Sequence, residues 1–113
     1  MLSKKNRLTK DLIEGVIKTG KRFSTDNIFL KVSKIGQKDS LFTFVVLSGA
    51  TKKATTRNKL KRRARYAAKC LMGNIKGGLA VVVFFQKTAI NKGFSEIKEE
   101  MTKLFKKAGI ITF

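Results

Sequence analysis

The sequence predicts an α/β (α+β) two-layer sandwich, with helices packed on a mixed central sheet. Three observations predict it. Amphipathic stretches of helical period alternate with β-branched and aromatic runs in the order α-β-β-α-β-α. The two strongest apolar runs, "LFTFVVLS" and "LAVVVFF", have the length of strands. A chain of 113 residues, 42% of them hydrophobic, suffices for one modest core, and no repeat, Pro-rich or Ser-rich linker divides it. A single domain spanning 1–113 is expected.

Each element has a local cause. Residues 9–19 read as a short helix, with Thr9 as N-cap, Asp11 in the first turn and Gly20 as the residue past its end. Leu12, Ile13, Val16 and Ile17 share one face, which reads as core packing; that Ile13 and Ile17 line a groove edge stays open. A strand follows around 27–34 and ends in a loop with the turn formers Gly36 and Asp39; a further short strand within 21–34 stays open. "LFTFVVLS", 41–48, is apolar on both faces, which predicts a central strand covered on both sides. Thr55 or Thr56 caps a helix from about Arg57 to Met72, in which Leu60, Ala64, Ala67, Ala68 and Leu71 form one buried stripe. "GNIKGG" ends that helix, and "LAVVVFFQK" is a buried strand. Ser95 caps the last helix, with Glu96, Glu99 and Glu100 near its positive end and Lys103, Lys106 and Lys107 near its negative end. Its apolar stripe is Ile97, Met101, Leu104, Phe105 and Ala108, and Gly109 stops it.

Charge is the strongest functional signal. Lys and Arg number 26 against 7 Asp and Glu, a net charge of +19. A compact domain so charged repels itself, so an anionic partner is expected, and phosphate polymers are the commonest. No acid lies between Asp39 and Glu96, while that interval holds twelve Lys and Arg. The positive field therefore has no counterweight through the middle of the chain.

The stretch "ATTRNKLKRRAR", Ala54 to Arg65, concentrates this field on a helix. Asn58, Arg62, Arg65 and Lys69 fall on a broad face away from the alanine stripe, flanked by Arg57 and Lys61. A solvated face would pair such cations with acids at i,i+4, and here there are none. A membrane-surface helix would need bulky apolar residues where this one has alanines. A phosphate-binding surface fits: Arg and Lys reach backbone oxygens, and Asn58 adds an amide. Without a helix-turn-helix pair, zinc finger or leucine zipper, RNA recognised by shape and backbone is favoured over DNA.

A catalytic role for the side chains is not expected, and no catalytic residue is assigned to the protein. The chain has no histidine and a single cysteine, so neither a Cys/His metal site nor an intramolecular disulfide is possible. Cys70 is expected to be a small buried or half-buried helix residue, compatible with a reducing cytosol. No protein-held metal is expected. The glutamates 96, 99 and 100 are explained by helix capping. Lys4, Lys5 and Arg7 are followed by no long apolar region, so no signal peptide is expected, and the longest apolar run is too short to span a bilayer.

"TRNKLKRRAR" resembles the RNR motif of the bacterial ribonuclease P protein family, usually R-N-R-x-K-R-x-x-R. Here the pattern falls on Arg57, Asn58, Lys59, Lys61, Arg62 and Arg65, with lysine at the third position. "NRLTKDLIEGVIKTGKRF", "FVVLSGATKKATTRN" and "FKKAGI" extend the resemblance over nearly the whole chain. The sequence departs from the pattern in the loop Ser48–Ala54, where the lysine pair lies nearer the helix. It departs again at Ile13, Ile17 and Lys31, where the family tends to have aromatics. Isoleucine packs but stacks poorly on a base, so binding there is expected to rest more on charge.

The resemblance implies a left-handed βαβ crossover around the motif helix, an exception to the usual handedness. It implies the protein subunit of ribonuclease P, a ribonucleoprotein that hydrolytically removes the 5′ leader from precursor tRNA. Catalysis would be the work of the RNA subunit with Mg2+ held mainly by that RNA. The expected RNA-binding residues are Lys52, Lys53, Arg57, Asn58, Lys59, Lys61, Arg62, Arg65 and Lys69. A cleft with Ile13, Ile17, Phe29 and Lys31 would hold the leader. The implied partners are ribonuclease P RNA, one to one, and precursor tRNA, with no membrane and in the cytoplasm. The rivals are a non-catalytic structured-RNA-binding protein such as a ribosomal protein, and an RNA chaperone.

Overall fold

In a computed structural model of the chain, residues 10–35, 40–46, 53–90 and 92–111 are described. The elements are α1 (Lys10–Thr19), β1 (Lys21–Ser24), β2 (Ile28–Lys34), β3 (Leu41–Val46), α2 (Ala54–Leu71), β4 (Leu79–Phe85) and α3 (Phe94–Lys107). Short 3-10 turns follow α2 at Met72–Asn74 and β4 at Lys87–Ala89. The short strand left open in 21–34 exists as β1, which pairs antiparallel with β2 from Lys21 opposite Val32 to Ser24 opposite Phe29.

The sheet order is β1-β2-β4-β3, with β2 and β4 antiparallel and β3 and β4 parallel. The mixed sheet follows from the connections. A hairpin joins β1 to β2, whereas β3 reaches its parallel neighbour through the crossover helix α2. The inner strands are β2 and β4, and β4 is the more deeply buried, with Ala80 to Phe85 all buried. The expectation that the strand at 41–48 is central is corrected: β3 ends at Val46 among the described residues and lies at the end of the sheet order. Its apolar faces misled because covering a face and pairing an edge are independent. Phe42, Phe44 and Val46 are buried, but Thr43 and Val45 on the other face are half-buried.

The two faces of the sheet differ. On one, Ile28, Leu30, Phe42, Phe44, Val81, Val83 and Phe85 pack against Leu60, Ala64, Ala67, Ala68 and Leu71 of α2 and Ile97, Met101, Leu104 and Phe105 of α3. Both predicted helical stripes are therefore buried, except that Ala108 is half-buried past the end of α3. The alanines bring α2 close to the sheet and leave the rest of its circumference for other use. On the opposite face, among the described residues, the short helix α1 lies on the sheet, with Val16 buried against Ala80, Val82 and Phe84.

The caps differ from expectation at two helices. α2 begins at Ala54, with the Arg57 amide donating to the Lys53 carbonyl at 3.1 Å. Thr55 and Thr56 therefore lie inside its first turn. α3 is capped by Gly93 without a side-chain hydrogen bond, and Ser95 is its second residue. Phe94 packing against the core explains the early start. The predicted Thr9 cap lies outside the described residues.

Two glycines do what other residues could not. Gly20 closes α1 onto the sheet through its amide, which donates to the Val16 carbonyl at 2.8 Å. A Cβ there would sit 2.5 Å from that oxygen and 3.2 Å from the Val32 nitrogen. Gly109 ends α3 with φ at 72°, and the amides of Gly109 and Ile110 donate to the carbonyls of Lys106 and Phe105 at 3.1 and 2.9 Å. This is a Schellman cap, with the apolar residue after it, Ile110, buried.

Candidate nucleic-acid interface

α2 presents the basic surface. Its buried stripe fixes the helix rotation, so Asn58, Lys59, Arg62 and Lys69 are exposed while Arg57, Lys61 and Arg65 are half-buried at the flanks. Half-burial at the flanks suits Arg and Lys, whose aliphatic stems can cover apolar surface while the charged ends stay in water. The first turn holds no acid, and Lys53, exposed, stands just before it. Among the described residues the single ion pair is Lys92 with Glu96 at 3.6 Å, and it includes no residue of α2. Lys52 lies outside the described residues.

Arg63 is set apart from its neighbours. Its Nη1 donates to the Lys92 carbonyl at 2.9 Å and so ties α2 to the segment entering α3. Cys70 was expected to be at least half-buried and is instead exposed. It lies off the stripe that Ala67, Ala68 and Leu71 bury.

A second surface lies where α1 meets one face of the sheet. Strand alternation places Phe29 and Lys31 on that face together with Val82 and Phe84. Ile13 is half-buried against the cluster, and Ile17 is 39% exposed at its edge. The Lys31 ammonium donates to the Ile17 carbonyl at 2.8 Å, which positions the side chain across the end of α1 and satisfies a terminal helix carbonyl. All four cleft residues predicted from sequence are thus brought to one face of the protein.

The cleft also holds residues that the sequence reading missed. The Phe84 ring stacks on Phe29 at a centroid distance of 4.6 Å, with planes 10° apart. The Arg22 guanidinium lies 4.3 Å from the Phe29 centroid. Across the strands, then, a cation and two rings stand in a row. Aromatic character absent from the α1 positions is thus supplied by the sheet, through Phe29 and Phe84. The signal for Phe84 was available in β4, where Ala80, Val82 and Phe84 alternate away from the main core. Arg22 needed the β1–β2 register, which places it opposite Lys31.

The acids gather elsewhere. The Glu100 carboxylate accepts from Thr25 Oγ1 at 2.6 Å, the Asn27 amide at 2.9 Å and Asn27 Nδ2 at 2.7 Å. Helix capping does not account for this side chain, which holds the β1–β2 turn against α3. Among the described residues no helix is long and apolar enough to cross a membrane.

Fold and surfaces define a class, a small α/β protein with one strongly basic helix and a separate aromatic patch beside α1 on the other face of its sheet. The chain belongs to the ribonuclease P protein family, whose model matches residues 2–109. It is 35% identical over 97 residues to a ribonuclease P protein component of Synechocystis, covering 85% of this chain and 78% of that one. To the corresponding protein of Rippkaea orientalis it is 30% identical over 116 residues, covering 97% and 91%. The RNase P protein of Thermotoga maritima superposes with a TM-score of 0.80 at 29% identity, over 89% of this chain and 96% of that one. That of Staphylococcus aureus has the same fold, with a TM-score of 0.86 at 17% identity over 95% and 98%. Family membership makes this chain a protein subunit of the ribonucleoprotein ribonuclease P, working in tRNA processing in partnership with ribonuclease P RNA.

Proposed function

We propose that this chain binds and positions RNA, while the RNA subunit performs Mg2+-dependent hydrolysis that removes the 5′ leader from precursor tRNA. The observation that carries this reading is the separation of two surfaces. The acid-free face of α2 suits the folded backbone of the catalytic RNA, with Lys52, Lys53, Arg57, Asn58, Lys59, Lys61, Arg62, Arg65 and Lys69 as its contacts. The cleft under α1 suits a single strand, with Ile13, Ile17, Phe29 and Lys31 joined by Arg22 and Phe84.

The donor chemistry argues that these surfaces do not hold the metal. α2 offers cations and one amide from Asn58, and Glu100 already accepts three hydrogen bonds at the far end of β1. Mg2+ prefers carboxylate, phosphate and water oxygens, which the RNAs supply. The chain's contribution is positioning: the leader and the catalytic RNA are held by one rigid body, and repulsion between two polyanions is screened where they meet. A one-to-one complex with the RNA subunit, acting in the cytoplasm, completes the reading.

Reconstitution tests it. The protein is combined with the organism's ribonuclease P RNA at low Mg2+, and 5′ leader release from precursor tRNA is measured. The protein should accelerate release, and protein free of RNA should release nothing. Cleavage by the RNA-free protein, or no effect of the protein at any Mg2+ concentration, refutes the proposal.

A further inference from the structure

Two large hydrophobic side chains are exposed among the described residues, Ile17 at 39% and Tyr66 at 57%. Ile17 belongs to the cleft. Tyr66 lies on α2, one turn after Arg62 and one turn before Lys69, at the margin of the basic face nearest α3. Its ring meets the Phe94 ring edge to face, with centroids 5.5 Å apart and planes at 74°. Beside it, the Arg63 bond to the Lys92 carbonyl ties α2 to the segment entering α3. The Phe94 contact thus sets the ring's orientation while more than half of the residue stays exposed.

That combination is poorly explained by packing alone, which would bury the ring, or by solvation alone, which would favour a polar side chain. An aromatic face with a preset orientation, set among cations, suits an unpaired base: the ring stacks, and the flanking charges hold phosphates. Preset orientation also lowers the entropy lost on binding. We propose that Tyr66 is a stacking platform for an unpaired base of the ribonuclease P RNA, with Arg62 and Lys69 taking the adjoining backbone. The proposal rests on the reading of α2 as the face toward that RNA.

The chain contains one tyrosine and no tryptophan, so its ultraviolet emission reports Tyr66 directly. The intact protein is titrated with the RNA subunit and, separately, with a single-stranded leader RNA. Saturation with the RNA subunit should quench the emission, and the leader should not. Tyr66→Phe should bind the RNA subunit within about twofold of the parent, because stacking needs only a ring. Tyr66→Leu keeps an apolar contact to Phe94 and should bind roughly tenfold more weakly. Its dependence of affinity on salt should be unchanged, because no cation is lost. Unchanged emission at saturation, quenching by the leader alone, or equal binding by a folded Tyr66→Leu overturns the proposal. Failure of the underlying reading looks different: Arg62→Gln would then leave both affinity and salt dependence as in the parent.

Discussion

The Glu100 carboxylate sits where three donors converge, from Thr25 and from the backbone and side chain of Asn27. The turn between β1 and β2 carries no glycine or proline, so its shape depends on such external acceptors. Truncation would leave the half-buried Asn27 amide without its partner. Glu100→Ala should cost about 2 kcal/mol in chemical denaturation, in the range for hydrogen bonds to a charged group. Glu100→Gln retains one carbonyl acceptor and should cost less. Equal stability of all three proteins would show that the turn holds itself. This role was not legible in the sequence. Three glutamates at a helix start satisfy the helix-dipole rule as written, and Thr25 and Asn27 lie more than seventy positions away, so only the fold reveals the partner.

At the scale of elements, the alanine stripe and the basic face of α2 are one design. Small residues let the helix sit close to the sheet, and its remaining surface is free for cations. Both halves were legible because they depend on helical period alone. The edge position of β3 was not, since apolar alternation reports covered faces and says nothing about strand order. The early start of α2 was missed because Thr55 and Thr56 make good caps locally, yet the Lys53 carbonyl already accepts from Arg57. Replacing Arg57, Arg62 and Arg65 singly by Gln should weaken binding to the RNA subunit. Each should also lower the slope of log affinity against log salt by about 0.7–0.9, one phosphate contact's worth. An unchanged slope in all three would remove these residues from the interface. The cleft predicts a different signature. Phe29→Ala removes the central ring of the row between Arg22 and Phe84, and should weaken single-stranded leader binding by about 1–3 kcal/mol with little change in slope. Crosslinks from the leader confined to the α2–α3 side of the sheet would contradict the placement.

For the whole molecule the controlling quantity is a charge of +19 on a body whose radius of gyration is 12.9 Å. At about 0.01 M salt the screening length is roughly 30 Å, so every cation feels every other; at 0.15 M it is about 8 Å, shorter than the molecule's own radius. The free protein should therefore become more stable as salt is added over this range, since screening relieves self-repulsion in the compact state. A gain of about 1 kcal/mol would raise the melting temperature by roughly 4–8 °C for a domain of this size. Bound RNA should also raise the melting temperature, because it binds the folded state, but this increment depends on an affinity that falls steeply with salt. The two effects have opposite signs. Melting curves across a salt series, with and without the RNA subunit, should therefore converge: the free protein climbs while the RNA-dependent increment shrinks. A free protein indifferent to salt would mean that the cations are already neutralised within the fold, contrary to the single ion pair among the described residues. An increment that persists at high salt would mean that the RNA is held mainly by uncharged contacts, and the basic face of α2 would lose its assigned role.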